Sequence, residues 1–499
     1  MKQGKQKILL IEPPFYRLYK DTYSLDRYPL SLGYLAGTIH KETDWEVLVY
    51  NADFCSQSES MSVGYLTTTG YDKYLNHLKD LSLPVWDEIK STILDFKPDV
   101  IGITTKSQNF KSVCIVARIA KEINEDITVI VGGPHPTMTG SDIFKCADFD
   151  VSVIGEGEDV IVELLNAIAA RENFNNIRGI IYREGGKTVE TGPREYIKDL
   201  DSLCFPHESA QEVLKDYDQY PRTAFRNIFT IRGCPYNCLF CGSYKIWSRK
   251  SRFRSPESVV REIKQLQKMG LRVVNFDDDT FGVSKKHIRD LCNAIREHCP
   301  GLQWSSEIHV KLVDDETISI MKEAGCCFIQ VGVESGNNEI LKQMRKGTTI
   351  EEALSACEII HKHGLELKTF FIVGFPLETE ETLSDTVAAM RKVKCDQMTY
   401  SIFTPFPGTE SFELCKEYGL IDDDYDVSLY NLQSPANCFC KNIERERFRM
   451  LASRIEKMVD RKNMLSRIKR MFSMNTVYRI QELGVLRSLQ KGIRVFINR

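Results

Sequence analysis

The chain has 499 residues, 42% of them hydrophobic and 27% charged, with a net charge of −3; that length exceeds one ordinary core and predicts about three domains. The composition is that of a globular protein, and no apolar run approaches the roughly 20 residues a membrane span needs. Sixteen cysteines, with Met1 to Lys7 passing directly into Ile8-Leu9-Leu10-Ile11 rather than into a secretory leader, predict a reducing, cytoplasmic setting and no disulfide scaffold.

Short β-rich runs then alternate with helical patterns. Ile8–Ile11, Val47–Tyr50, Val100–Thr104, Thr128–Val131 and Val151–Ile154 read as strands. Between them, Leu30–His40, Val85–Phe96 and Phe110–Ile123 read as helices. Such alternation implies right-handed crossovers and a doubly wound, Rossmann-like parallel sheet, with ligands outside the carboxyl ends of the strands. Those ends carry Thr104-Thr105-Lys106-Ser107, Gly132-Gly133-Pro134-His135-Pro136 and Gly155-Glu156-Gly157-Glu158. Glycine there lets backbone approach a ligand, and N–H groups at the next helix start bind polar groups. On residue types alone, plain tight turns explain the same pattern equally well.

Residues 177–190 predict a β-hairpin, and the chain from 196 to 226 reads as a linker, which sets domain boundaries at 1–195, 196–226, 227–434 and 435–499. From Asn227 a second β/α series begins, with strands expected at Ile228–Ile231, Val273–Phe276, Gln303–Ser306, Cys327–Val331, Leu367–Val373 and Met398–Ile402. Helices fill the gaps, opened by signals such as Ser255-Pro256-Glu257 and closed at Gly270, Gly325 and Gly364. Six βα units predict a partial barrel with its site at the carboxyl ends of the strands.

After the first of these strands stands Cys234-Pro-Tyr-Asn-Cys238-Leu-Phe-Cys241, flanked by Gly233 and Gly242. Core cysteines do not usually share so short a Gly/Pro-bearing loop. A structural zinc site is closed by four protein ligands, and no fourth follows at comparable spacing. Thiolates also favour iron–sulfur clusters, and a 4Fe–4S cluster held by three cysteines leaves one iron open. Cys-x3-Cys-x2-Cys with Phe240 before the last cysteine resembles the radical S-adenosylmethionine (radical SAM) signature. The resemblance implies that Cys234, Cys238 and Cys241 hold the cluster, and that its open iron chelates S-adenosylmethionine for one-electron cleavage to a 5′-deoxyadenosyl radical.

Polar groups recur at the other expected strand ends: Asp277-Asp278-Asp279, then Glu307 and His309, then Glu334-Ser335-Gly336. A sulfonium, an ammonium and a ribose diol are served by such carboxylates and hydroxyls. By resemblance, Phe240, Glu334 and Ser335 contact S-adenosylmethionine, Asp277 or Asp278 lies near its amino group, and Glu307 near its ribose. Gly-Gly-Pro-His followed by Gly-Glu-Gly-Glu, over residues 1–170, resembles the cobalamin-binding domain that precedes many radical SAM barrels. That implies cobalamin contacts at Thr104, Ser107, Gly132, Gly133, His135, Gly155, Glu156 and Gly157. Asp-x-His-x-x-Gly is absent after the first strand, where Glu12-Pro13-Pro14-Phe15-Tyr16 stands, so base-off cobalamin without a histidine ligand is expected.

From Lys441 to Arg499 there are 16 Lys/Arg against 5 Asp/Glu, a charge of +11 that leaves −14 on the rest. Phe448, Leu451, Ile455, Met458, Leu465, Ile468 and Phe472 recur there at helical spacing, as in a helix packed on the barrel or, alternatively, a basic membrane-surface helix. Cys438-Phe439-Cys440 alternates on an extended segment and is not expected to hold a second cluster. The two resemblances together imply a cobalamin-dependent radical SAM enzyme that methylates an unactivated carbon of a small-molecule or lipid-like substrate. An electron donor such as flavodoxin or ferredoxin would serve it, and no nucleic acid is expected. Oxidative cyclisation or rearrangement, as in tetrapyrrole cyclases, is the alternative, and a cobalamin or redox sensor the non-enzymatic one.

Overall fold

The computed structural model describes residues 5–470 apart from 60, 62–64, 67–68, 146, 430–431, 433 and 435–436. These form two compact units, one built from residues up to Phe225 together with Lys245–Trp247 and Val427–Leu429, the other from the remainder after Arg226.

In the first unit, β1 (Lys7–Glu12), β2 (Glu46–Asn51), β3 (Val100–Thr104), β4 (Thr128–Gly132) and β5 (Val151–Val153) pair in parallel in the order β2-β1-β3-β4-β5. Every residue of β3 is buried, as a central parallel strand between two helical layers requires. Helices Pro84–Phe96 and Phe110–Ile123 supply Trp86, Ile89, Val113 and Val116 to the core formed with Leu9, Ile11, Ile101 and Val129. The expected doubly wound domain is present, with one extension: β6 (Ile180–Glu184) and β7 (Lys187–Glu190) add an antiparallel hairpin to β5 and make a seven-stranded sheet. The hairpin covers what would be an open edge beside a three-residue strand.

The segment 196–226, read from sequence as a sparse linker, packs on this unit. Helix Pro206–Val213 lies against helix Leu30–Glu42 so closely that a Cβ on Gly33 would stand 2.7 Å from Pro206 Cβ. Leu214 bridges to Val49, and Tyr220 stacks on Phe54 with ring centroids 3.7 Å apart. These contacts use a proline and isolated aromatics, which leave no periodic signature.

In the second unit the expected first strand is split. β8 (Asn227–Ile228) enters the main sheet, whereas β9 (Ile231–Arg232) pairs antiparallel with β10 (Arg252–Phe253). Asp278 is the reason, because its carboxylate takes the backbone N–H groups of Thr230 and Ile231. After β8 come β11 (Val273–Phe276), β12 (Gln303–Glu307), β13 (Cys326–Glu334), β14 (Glu366–Val373) and β15 (Gln397–Ile402), all parallel and in sequential order. Ser255, Ser284, Asp314, Thr349 and Thr379 each cap the helix that follows with a side-chain oxygen, worth about 1 kcal/mol apiece. The six-strand partial barrel is therefore as expected, except that β13 runs on through Glu334.

Helix Arg445–Arg470 packs on β15. Phe448, Ile455 and Val459 are buried, and the Asn463 side chain both accepts from Met398 N and donates to Met398 O. Leu451 and Met458 are half-buried, so the apolar stripe packs as far as Met458, whereas Leu465, expected to continue it, is 55% exposed; the Ile468 side chain, Phe472 and the rest of the basic segment lie outside the described residues. Among the described residues no helix is long and apolar enough to cross a membrane.

Candidate functional site

The loop bearing Cys234, Cys238 and Cys241 is held from several sides. Gly233 has φ +98°, and a Cβ there would lie 2.7 Å from Lys250 O, so only glycine lets the loop rest on that neighbouring backbone. Leu239 N donates to Met344 O at 3.0 Å, and Leu239 O accepts from Ser411 N at 3.1 Å. All three thiols are part-buried. Burial pushes Cys234 up to about 11 and Cys241 up to about 12, and the charge of Asp279 adds to both. Cys238 is also raised by burial, against the pull of Lys346. The three thiols feel one another, although among the described residues no His/Cys/Asp/Glu set is arranged as a finished metal cage. Three soft donors on one pinned loop suit a cluster with an open position.

The three consecutive aspartates do different jobs. Asp278 is buried, and its carboxylate accepts from Thr230 N (2.6 Å), Thr230 Oγ1 (2.6 Å) and Ile231 N (3.0 Å), with its pKa pushed up to about 7 by burial. It braces the strand ahead of the cysteines and is not presented to a ligand. Asp277 is exposed. Asp279 is accessible to solvent as well, but its carboxylate accepts from Ser243 Oγ at 2.5 Å, and the protein close around it raises its pKa while its charge is felt by Cys234 and Cys241. Ser335 is likewise turned inward: fully buried, its hydroxyl lies 3.1 Å from Thr386 Oγ1 and accepts from Asn337 N.

Glu334 does reach the mouth, through an irregular strand end. β13 shifts register against β14 between Gly332 and Glu334, and Glu334 adopts φ +66°. Its Oε1 meets Lys346 Nζ at 2.8 Å, both residues being buried. A Cβ on Gly332 would lie 2.2 Å from Glu334 Oε1 and 2.8 Å from Lys346 Nζ, so this glycine makes room for the ion pair. Burial works against the Lys346 charge, yet Glu334 and then Cys238 hold its pKa above the ordinary value. Glu307 is pushed up to about 7, by burial and then by the Glu334 charge. His309 is held neutral, down to about 3, by burial and by Lys346 and Lys311, and stacks on Tyr236 of the cysteine loop at 3.5 Å.

Beside these groups lies a cavity of about 270 Å3 whose lining includes Phe240, Glu307, Glu334, Phe370, Phe403 and Phe406. Of the residues expected at S-adenosylmethionine, the fold thus brings Phe240, Glu307 and Glu334 together, and leaves Asp278 and Ser335 outside the cavity as braces. Lys346 escaped the sequence reading; its one signal is a lysine placed between Arg345 and Gly347, which looks like surface until β13 is known to end at its partner.

In the first unit, Thr104 is buried and pairs in register with Gly132. Gly133 has φ +114°, and a Cβ there would sit 3.0 Å from Thr105 O, so packing against β3 demands the glycine. His135 turns inward, with Nδ1 3.0 Å from Ser107 Oγ and its ring 4.4 Å from Phe110. Glu156 takes the backbone N–H of Ile197 at 2.7 Å and so anchors the following segment. Gly157 packs near Leu35, whereas Gly155, at φ +84°, faces open space. Of the glycines expected at this edge, Gly155 alone leaves open backbone, and the His135 imidazole is turned inward.

Comparison with known families matches residues 16–165 to the B12 binding domain and residues 228–390 to the radical SAM superfamily. An uncharacterized methyltransferase of Pyrococcus horikoshii is 31% identical over 411 residues, 82% of each chain. An anaerobic magnesium-protoporphyrin IX monomethyl ester cyclase of Rubrivivax gelatinosus is 30% identical over 391 residues, 74% of this chain and 68% of the cyclase. Among solved structures, the radical S-adenosylmethionine methyltransferase TsrM of Kitasatospora setae, with cobalamin and a 4Fe–4S cluster bound, matches with a TM-score of 0.65 at 18% identity, covering 84% of this chain and 76% of that one.

Proposed function

Because the chain belongs to the cobalamin-binding radical SAM enzymes, and with them uses a 4Fe–4S cluster, S-adenosylmethionine and cobalamin, we propose that it methylates an unactivated carbon of a small-molecule or lipid-like substrate. The bound cofactors supply the hydrogen-abstracting radical and the methyl group; the protein's part is to hold and separate them. Cys234, Cys238 and Cys241 carry the cluster in this reading. The observation that supports it most is the buried Glu334–Lys346 pair beside Cys238. A methionine moiety presents an ammonium and a carboxylate, and this carboxylate and ammonium are its complement at a desolvated site. Phe240 and the neighbouring phenylalanines offer the flat apolar wall a purine needs, Glu307 takes a ribose hydroxyl, and Asp279 rather than Asp278 is the carboxylate of the triplet nearest the reacting groups.

A cytoplasmic setting keeps the cysteines reduced, and a flavodoxin- or ferredoxin-like protein is the electron donor this chemistry requires. The basic C-terminal segment is the place for any peripheral membrane contact. The reading is tested by anaerobic incubation of reconstituted protein with S-adenosylmethionine, dithionite and candidate substrates. Formation of 5′-deoxyadenosine together with S-adenosylhomocysteine is the expected result. 5′-Deoxyadenosine without S-adenosylhomocysteine would replace methyl transfer by cyclisation or rearrangement, the reaction class of the cyclase relatives; formation of neither would remove the enzymatic reading.

A further inference from the structure

From Gln219 to Pro256 the chain carries eight Lys/Arg and no Asp or Glu, in a molecule whose net charge is −3. Folding spends part of that charge inside: Arg254 pairs with Glu262 at a wholly buried site, and Arg232 is buried with its guanidinium carbon 4.8 Å from the centre of the Phe229 ring. Other cations gather outside the cysteine loop. β9 runs directly into Gly233 and Cys234, and β10 lies antiparallel beside it, with Phe253 opposite Ile231. The turn before β10 wraps the loop, since Ser251 Oγ donates to Gly233 O at 3.2 Å and Arg249 Nη2 donates to Asn237 Oδ1, between Cys234 and Cys238.

A third segment joins them. Met344 O holds Leu239 N, and the next residue, Arg345, places its guanidinium 2.7 Å from Glu410 Oε2. Arg249 Nη2 lies 3.8 Å from the other oxygen of the same carboxylate, so two cations share one acid and a positive charge is left over. Arg249, Lys250 and Arg345 are exposed, and Lys250 has no ion-pair partner among the described residues. Beside them Phe253 is 40% exposed, the one aromatic among the exposed large hydrophobic side chains of the described residues.

Arginine and aromatic side chains are the groups on which protein interfaces centre. Basic charge around one apolar ring, on the backbone that holds the cluster ligands, is the complement of a small acidic protein that delivers an electron. Contacts of that kind are small, below about 1,200 Å2, and opposite charge brings the partners together. The ring selects among acidic carriers, because a flavin can present the apolar aromatic edge of its isoalloxazine to it, whereas an iron–sulfur carrier has no such edge.

We propose that Arg249, Lys250, Phe253 and Arg345 form the docking surface for an acidic, flavodoxin-like electron carrier. The step is one electron: the carrier's flavin hydroquinone is oxidised to the semiquinone, and the cluster on Cys234, Cys238 and Cys241 is reduced from the 2+ to the 1+ state. This rests on the radical SAM reading of the three cysteines, which dithionite tests separately because so small a reductant needs no docking surface.

The test uses full-length reconstituted protein, with Lys250→Glu, Phe253→Ser and, as a control for charge alone, Arg454→Glu on the helix Arg445–Arg470. Binding of oxidised flavodoxin is measured by calorimetry, and oxidation of flavodoxin hydroquinone by anaerobic stopped flow. Wild type is expected to bind more weakly and react more slowly as salt rises from about 50 to about 300 mM. Lys250→Glu and Phe253→Ser should each lower the flavodoxin rate about ten-fold, while 5′-deoxyadenosine formation with dithionite stays at the wild-type level and Arg454→Glu matches wild type in both. A flavodoxin rate unchanged in either variant, an equal loss with dithionite, or the same loss in Arg454→Glu would each overturn the proposal. So would dependence on Lys250 and Phe253 seen with an acidic ferredoxin and not with flavodoxin, or binding to anionic lipid vesicles that Lys250→Glu abolishes while flavodoxin binding persists. Wild-type protein that forms no 5′-deoxyadenosine with dithionite would instead overturn the radical SAM reading, and this proposal with it.

Discussion

Replacing Lys346 by methionine isolates what the buried ion pair does. Lys346 and Glu334 are 8% and 7% exposed and meet at 2.8 Å, so the substitution leaves the Glu334 carboxylate desolvated, next to Glu307, without its counter-charge. Breaking one side of a buried pair costs about 3–5 kcal/mol, which is roughly a 140- to 4,000-fold fall in the folding constant at about 1.4 kcal/mol per decade. Glu334→Gln alone is expected to be similarly costly, because it strands the ammonium. The double variant, with both charges gone, should recover to within about 1 kcal/mol of the parent. Urea unfolding of ligand-free protein at pH 7, followed by far-UV circular dichroism, gives the three differences and hence the coupling energy. Additive losses, with coupling below about 0.5 kcal/mol, would show that the two charges do not depend on each other and would refute the reasoning.

Three further outcomes follow from the same structure. Cys238→Ala should lose the cluster absorption of the reconstituted protein while its corrinoid absorption persists, and loss of both would contradict separate sites. Asp278→Ala leaves three donors unpaired at about 1–3 kcal/mol each and should lower the thermal midpoint by more than Asp277→Ala, at an exposed position, does; equal effects would contradict the division of labour among the aspartates. Glu378 is fully buried and its carboxyl, which accepts from Gly374 N at 2.6 Å, is raised by burial from 4.5 to about 8. A carboxyl raised on folding contributes stability that is complete below 4.5 and is lost as pH rises through about 8, at up to about 1.4 kcal/mol per pH unit. Glu378→Gln should therefore flatten that decline in pH-dependent urea unfolding, and an unchanged pH profile would rule this origin out.

The parts of the molecule legible in its sequence were those with a local code. Val100–Ile103 announced a buried parallel strand by its apolar run, Ser255-Pro256-Glu257 a helix start, and the cysteine spacing a chemistry. What stayed hidden depended on long-range geometry. Three adjacent aspartates look alike on paper, but the N–H groups of Thr230 and Ile231 claim Asp278 for structure, Ser243 holds Asp279 at the mouth, and Asp277 lies at an exposed position. Ser335 and Glu156 follow the same rule, each spent on a backbone or side-chain partner that only folding brings near. Lys346 gains its meaning from a glutamate twelve positions earlier, across a strand end and a helix. The second glycine of Gly132-Gly133, suggestive of a ligand cradle, is first of all a condition for the chain to pass Thr105.

The left-handed backbone at Glu334 links chemistry to register. A non-glycine residue held at φ +66° stores on the order of 1–3 kcal/mol, and the register shift beside it is what aims this carboxylate inward rather than along the sheet. Strand alignment and the position of the negative charge are thus one variable. A single-residue insertion or deletion anywhere in β13 would spare the apolar composition of the barrel yet rotate its acid out of reach of Lys346. Loops around the mouth are free to vary in length for a new substrate, while this strand is not.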